Sequence, residues 1–93
     1  MKAVWKGKII AESDKTVVVE NNHYFPPGSV KIEYLKKSGN TYKCHWKGIA
    51  DYYDVAVDGE TNSDAAWVYP EPTEPAKMIK GHFAFWKGVE VAP

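Results

Sequence analysis

Thr41-Tyr42-Lys43-Cys44-His45-Trp46-Lys47-Gly48-Ile49-Ala50-Asp51-Tyr52-Tyr53-Asp54-Val55-Ala56-Val57-Asp58-Gly59 is the stretch that decides the fold. It reads as two extended arms about Lys47-Gly48. The second arm places Tyr53, Val55 and Val57 on one face and Tyr52, Asp54 and Ala56 on the other. Asp58-Gly59 then calls for a further tight turn, because a type I′ hairpin needs positive φ at both central residues. Two-residue alternation bounded by such turns predicts antiparallel strands.

The same pattern extends in both directions. Ala3-Val4-Trp5 and Lys8-Ile9-Ile10-Ala11-Glu12 form a hairpin about Lys6-Gly7, and Thr16 to Glu20 is a β-branched strand closed by an Asn21-Asn22 turn. Pro26-Pro27-Gly28 stops extended pairing, and Ser29 caps a single helical turn over Val30 to Glu33. Lys37 to Asn40 reads as a loop. Ala65 to Tyr69 is another strand, followed by a proline-rich connection over 70–76 and one helical turn ending at Gly81. Phe83 to Trp86 and Val89 to Val91 make a last hairpin. About eight short strands with turns every 8–12 residues indicate a barrel or sandwich.

Trp-Lys-Gly occurs three times, at Trp5, Trp46 and Trp86. The spacings of 41 and 40 residues raise an internal repeat of two pseudo-symmetric halves. Three hairpin loops meeting one local demand account for the same pattern: glycine supplies positive φ and the tryptophan covers the hairpin end.

Composition narrows the function classes. The chain has 93 residues, room for one domain spanning 1–93. Twelve basic and twelve acidic residues balance with the signs interspersed, against nucleic acid and anionic membrane surfaces as partners. No run approaches the ~20 apolar residues of a spanning helix. The start lacks the apolar stretch of a signal peptide. Its single cysteine excludes an intrachain disulfide and fits a reducing cytoplasm, so a cytoplasmic location is expected. Four Trp and six Tyr exceed what a core of this size needs, and a surplus of that kind can line a cavity or an interface.

Trp5-Lys6-Gly7, Glu20 through Tyr24-Phe25-Pro26, Cys44 with Trp46-Lys47-Gly48, Tyr52-Tyr53, Ala65-Ala66-Trp67 with Tyr69-Pro70 and Pro72, and Gly81 before Phe83-Ala84-Phe85-Trp86 recur in this order. The pattern covers essentially the whole chain and resembles the domain-of-unknown-function 427 family. That resemblance implies an all-β fold of two antiparallel sheets meeting at an angle, a β-tent or small open barrel with one or two short helical turns and a cleft between the sheets. A nucleotidyltransferase label has also been attached to the family. His45 stands where the family commonly has proline, exchanging a rigid residue for a titratable one. Zinc-bearing relatives of tent-like folds need paired Cys-x-x-Cys ligands, so no structural zinc is expected here.

The residues themselves offer little for nucleotidyl transfer. Asp51 falls on the face opposite Asp54 and Asp58, and those two are about 13 Å apart in an extended chain. No phosphate-binding glycine loop is present. Cys44 and His45 are strand neighbours and point to opposite sides, so a thiol catalyst would need His23 or His82. A free cysteine also packs well as a small hydrophobe. The three histidines are too scattered for metal-ligand spacing, and neither a metal nor a cofactor is expected.

Glu20, Tyr24, Trp46, Lys47, Tyr53, Trp67 and Tyr69 are the candidate ligand-binding residues. Trp46, Trp67, Tyr24 and Tyr53 would be the walls, with Lys47 and Glu20 as polar handles, a composition that suits a small-molecule pocket. The same residue types suit a core, and Lys47 could equally be a solvated loop lysine like Lys6 and Lys87. The leading expectation is therefore a small-molecule-binding module, monomeric or homodimeric. The alternatives are a small enzyme acting on an activated carbonyl or phosphate through Lys47 or Cys44, and a protein-interaction domain.

Overall fold

The computed structural model describes residues 1–93 and contains nine strands: β1 Lys2–Trp5, β2 Lys8–Glu12, β3 Val17–Val19, β4 Asn22–Tyr24, β5 Leu35–Cys44, β6 Gly48–Val57, β7 Glu60–Val68, β8 Phe83–Phe85 and β9 Glu90–Ala92. Three short 3₁₀ turns, Pro27–Ser29, Ile32–Tyr34 and Glu74–Ile79, are its only helical structure. Every ladder between named strands is antiparallel, and no sheet closes into a barrel.

Strands β2-β1-β9 form one sheet and β5-β6-β7-β8 the other. The β3-β4 hairpin extends the second sheet past β8: Phe25 and Phe83 exchange backbone hydrogen bonds of 2.8 and 3.0 Å. The all-β expectation of antiparallel sheets with short helical turns therefore describes the molecule. Local details differ. The loop expected at 37–40 is a bulge within β5, where Gly39 has φ +92°. The hairpin expected at the C-terminus does not form, because β8 pairs with β7 while β9 crosses to β1. Lys87-Gly88 is a turn between two sheets.

Pairing follows turn chemistry. Lys6-Gly7 and Asp58-Gly59 have positive φ at both residues and close two-residue hairpins. Glu20-Asn21 does the same (φ +53° and +65°), so the turn expected at Asn21-Asn22 lies one residue earlier and Asn22 enters β4.

The four-stranded sheet is two-faced. Val55, Val57, Ala66, Phe83 and Phe85 project from its inner face and pack with Ala3, Ile10 and Ala11 of the other sheet in one buried cluster. Ala50 and Ala84 lie on the outer face, in a smaller cluster with Tyr24, Tyr69, Ala76 and Ile79. The β3-β4 hairpin and the Glu74–Ile79 turn thus cover part of the outer face. The rest of that face, around Tyr42, Tyr52 and Trp67, is left uncovered and forms a cavity.

Candidate functional site

Alternation along β6 and β7 sets the walls. Tyr52 and Trp67 are cross-strand partners, and Trp67 in turn faces Ala84 of β8. Tyr42 of β5 faces Ala50 of β6. These residues share the outer face, where the small Ala50 leaves room between large rings. A cavity of about 330 Å³ lies there, lined by Tyr42, Ala50, Tyr52, Trp67, Tyr69 and Trp86, with Asn22 and Lys47 as its two non-hydrophobic members. It opens on the side away from β2-β1-β9, whereas the sequence reading expected a cleft between the sheets.

The aromatic rings hold one another in place. Trp67 and Trp86 meet edge to face at 5.5 Å between centroids, and Tyr52 stacks on Trp86 at 6.3 Å with planes 8° apart. The Trp67 indole N–H donates to the Tyr24 hydroxyl at 3.1 Å, and that of Trp86 donates to the Asp64 carbonyl at 2.6 Å. Both polar handles of the tryptophans are thereby satisfied within the protein. Burial raises the pKa of Tyr24, Tyr52 and Tyr69. All three stay protonated at neutral pH.

Lys47 is the one buried charged side chain of the protein, at 6% exposure. Its ammonium donates to Glu20 Oε1 at the tip of the β3-β4 hairpin and lies 5.5 Å from the Trp46 ring centre and 5.6 Å from that of Tyr69. The Trp46 indole N–H donates to Glu20 Oε2 at 3.3 Å. Burial works against the lysine's charge. The bond to Glu20, aided by nearby Tyr24 and Cys44, outweighs it, and the pKa is raised. Glu20 is correspondingly lowered by its bonds from Lys47 and then Trp46. Lys47 is consequently a fixed cation. The lowered pKa that would make it a nucleophile is absent.

The loop carrying Lys47 is clamped from the proline-rich connection. Cys44 pairs with Gly48, leaving His45, Trp46 and Lys47 as a three-residue loop. The Thr73 N–H donates to the Lys47 carbonyl at 3.0 Å, and the Thr73 hydroxyl donates to the Trp46 carbonyl. Gly48 has φ +110°, and a Cβ there would meet the Glu71 carbonyl oxygen at 3.4 Å and Pro72 Cα at 3.5 Å.

Of the candidates read from the sequence, Lys47, Trp67 and Tyr69 line the cavity, and Glu20 and Trp46 join Lys47 beside it. Tyr24 supports Trp67 from behind and is fully buried. Tyr53 is elsewhere: it packs against Phe83 on the inner face, with centroids 5.1 Å apart. Tyr42, Tyr52, Trp86 and Asn22 were missed. The split between Tyr52 and Tyr53 was visible in the sequence, but not which face would be covered.

The other constellations have structural roles. Asp51 pairs with Lys37 at 3.5 Å, Asp54 accepts from the Asp64 N–H at 2.9 Å, and Asp58 forms a turn. His23 bonds to the Thr16 hydroxyl and His82 to the Lys80 carbonyl, while Cys44 packs against the smaller cluster. No group of three or more His, Cys, Asp or Glu is placed to hold a metal ion. No helix is long and apolar enough to cross a membrane.

A family model described as a domain of unknown function (DUF427) matches residues 1–92. No curated protein matches the chain. The chain belongs to the domain-of-unknown-function 427 family.

Proposed function

We propose that this protein binds a small molecule in the cavity on the outer face of its four-stranded sheet. The observation that carries the reading is a buried Lys47, paired with Glu20, set into an aromatic-walled space of about 330 Å³. That volume falls within the roughly 300–1,000 Å³ of small-molecule pockets, and apolar walls with a few polar groups are their usual composition. A buried ion pair is often no more stabilising than apolar residues of similar volume, so Lys47 reads as a recognition group for the cavity and not as a stability device.

The test is a ligand panel of metabolites and nucleotides read by thermal shift and by the indole N–H resonances of the ¹⁵N-labelled chain. A specific ligand at a hundredfold excess over its Kd adds about 2.7 kcal/mol of stability. For a domain of this size that raises Tm on the order of 10 °C. Binders should shift the Trp67 and Trp86 resonances together. A panel that moves neither resonance overturns the reading.

A second reading, recognition of a side chain on a partner protein, draws on the exposure of Tyr42, Trp46 and Trp86 near the cavity, at 55, 40 and 44%. Catalysis through Lys47 or Cys44 has less support. An ammonium lacks the lone pair a nucleophile needs, and the hydrogen bonds of His23 and His82 go to other groups.

A further inference from the structure

Building on the ligand-binding reading, we propose that the site takes a planar aromatic carboxylate, and that Glu20 is a resident counter-ion which the ligand's carboxylate displaces from Lys47. The two members of the ion pair are held very differently. Lys47 has a side chain only 8% exposed and cannot leave, whereas that of Glu20 is 52% exposed. Glu20 sits on a two-residue turn at φ +53°, and its carboxylate bonds only to Lys47 and Trp46, both from another loop. About half of its side chain already faces water, so its release costs far less burial than movement of Lys47 would. Its position in the turn places it outside the β3-β4 ladder, which runs from the Val17 and Tyr24 pair to the Val19 and Asn22 pair.

The ammonium decides the charge of the ligand. Lys47 is the only charged residue lining the cavity, and of its three N–H donors only one has a partner, Glu20. A buried ammonium stripped of its anion is costly, so an uncharged ligand that pushes Glu20 aside is penalised. An incoming carboxylate replaces the lost ion pair. The walls decide the ligand's body, since Tyr42, Tyr52, Trp67 and Trp86 line the cavity and aromatic side chains favour a flat ring in offset or edge-to-face contact. Asn22, two residues past Glu20 on the same hairpin, supplies a neutral amide at the cavity wall.

The experiment compares 2-naphthoate with 2-naphthamide, probes that share a body and differ in charge. Both are titrated into the ¹⁵N-labelled full chain while its four indole N–H resonances are followed. The naphthoate is expected to shift Trp67 and Trp86 and also Trp46, whose N–H loses its acceptor when Glu20 departs. The naphthamide should bind about tenfold more weakly or worse, as fits loss of a bond to a charged group. Glu20→Gln should tighten naphthoate several-fold, because no resident carboxylate then competes for Lys47. Lys47→Met should erase the discrimination, and if that variant fails to fold, the exposed Glu20→Gln still decides the matter.

Equal affinities for the two probes, with Trp67 and Trp86 moving, would overturn the carboxylate assignment and leave ligand binding intact. Weaker naphthoate binding by Glu20→Gln would overturn displacement. Silence at Trp67 and Trp86 with both probes also overturns the assignment. Only silence across the wider panel removes the binding reading itself.

Discussion

The middle Trp-Lys-Gly turn and the two outer ones share three residues and little else. In all three, the lysine ammonium lies near the ring of the preceding tryptophan, at 5.5, 5.5 and 5.0 Å for Lys6, Lys47 and Lys87. That much is local, because neighbouring side chains at a turn meet whatever surrounds them. Lys6 and Lys87 have positive φ and are exposed. Lys47 keeps negative φ, passes the left-handed conformation to Gly48, and is buried beneath Glu20, Tyr69 and the Thr73 clamp. The same tripeptide closes a hairpin at Lys6, links two sheets at Lys87 and presents a cation to a cavity at Lys47. Tertiary surroundings make the difference.

The largest expected effect that tests this contrast is at glycine. Gly48→Ala should cost about 3 kcal/mol, because φ +110° lies beyond the left-handed well and belongs almost entirely to glycine. Gly7→Ala, at φ +75° with nothing within 4 Å of its new Cβ, should cost about 1 kcal/mol. Urea unfolding of the two variants measures the gap. Equal costs would break the distinction between the turns.

Thr73→Val comes next. It removes the hydroxyl that donates to the Trp46 carbonyl while keeping the side chain's shape, and about 1 kcal/mol is the expected loss. The Trp46 indole resonance should broaden or shift with it, whereas signals from the Lys6 turn should stay in place.

The ion pairs offer a smaller, pH-dependent contrast. Glu20 has its pKa lowered from 4.5, so its contribution is present above that value and fades as pH falls through the lower folded one. Lys47 is raised from 10.5, so its contribution is complete below that value and fades as pH rises through the higher folded one. A double-mutant cycle on Lys47 and Glu20 should therefore give a coupling that is flat between those two values and is lost only as pH falls well below 4.5. Lys6 and Glu60, 3.5 Å apart and both well exposed, should couple by no more than about 0.5 kcal/mol at any pH. Should the outer pair couple as strongly as the inner one, burial of Lys47 has no energetic consequence.

Smallest of all, Lys6→Ala and Lys87→Ala should each leave stability within about 0.5 kcal/mol, as exposed substitutions usually do. A larger loss at either would give the outer turns a role the structure does not show.

Much of this molecule is legible along the chain. Alternation through Ile49 to Val57, the Lys6-Gly7 and Asp58-Gly59 turns and the valines of β3 all specify extended antiparallel structure, since side-chain period and turn φ depend only on near neighbours. Lys47 and Trp67 were already candidates for a site on residue type and position. What proximity in sequence could not show was which sheet face would be covered. Tyr52 and Tyr53 are equivalent to any local rule, and only the packing of β2-β1-β9 against the inner face sends Tyr53 to the core and Tyr52 to the cavity. Trp86 became a wall because β8 pairs with β7 while β9 crosses to β1, a choice made by long-range hydrogen bonding. Lys47 is a buried cation because Glu20, 27 residues away, meets it across a hairpin tip. Conformation was written locally; burial and charge pairing were decided where distant segments met, because both depend on what else occupies the surrounding space.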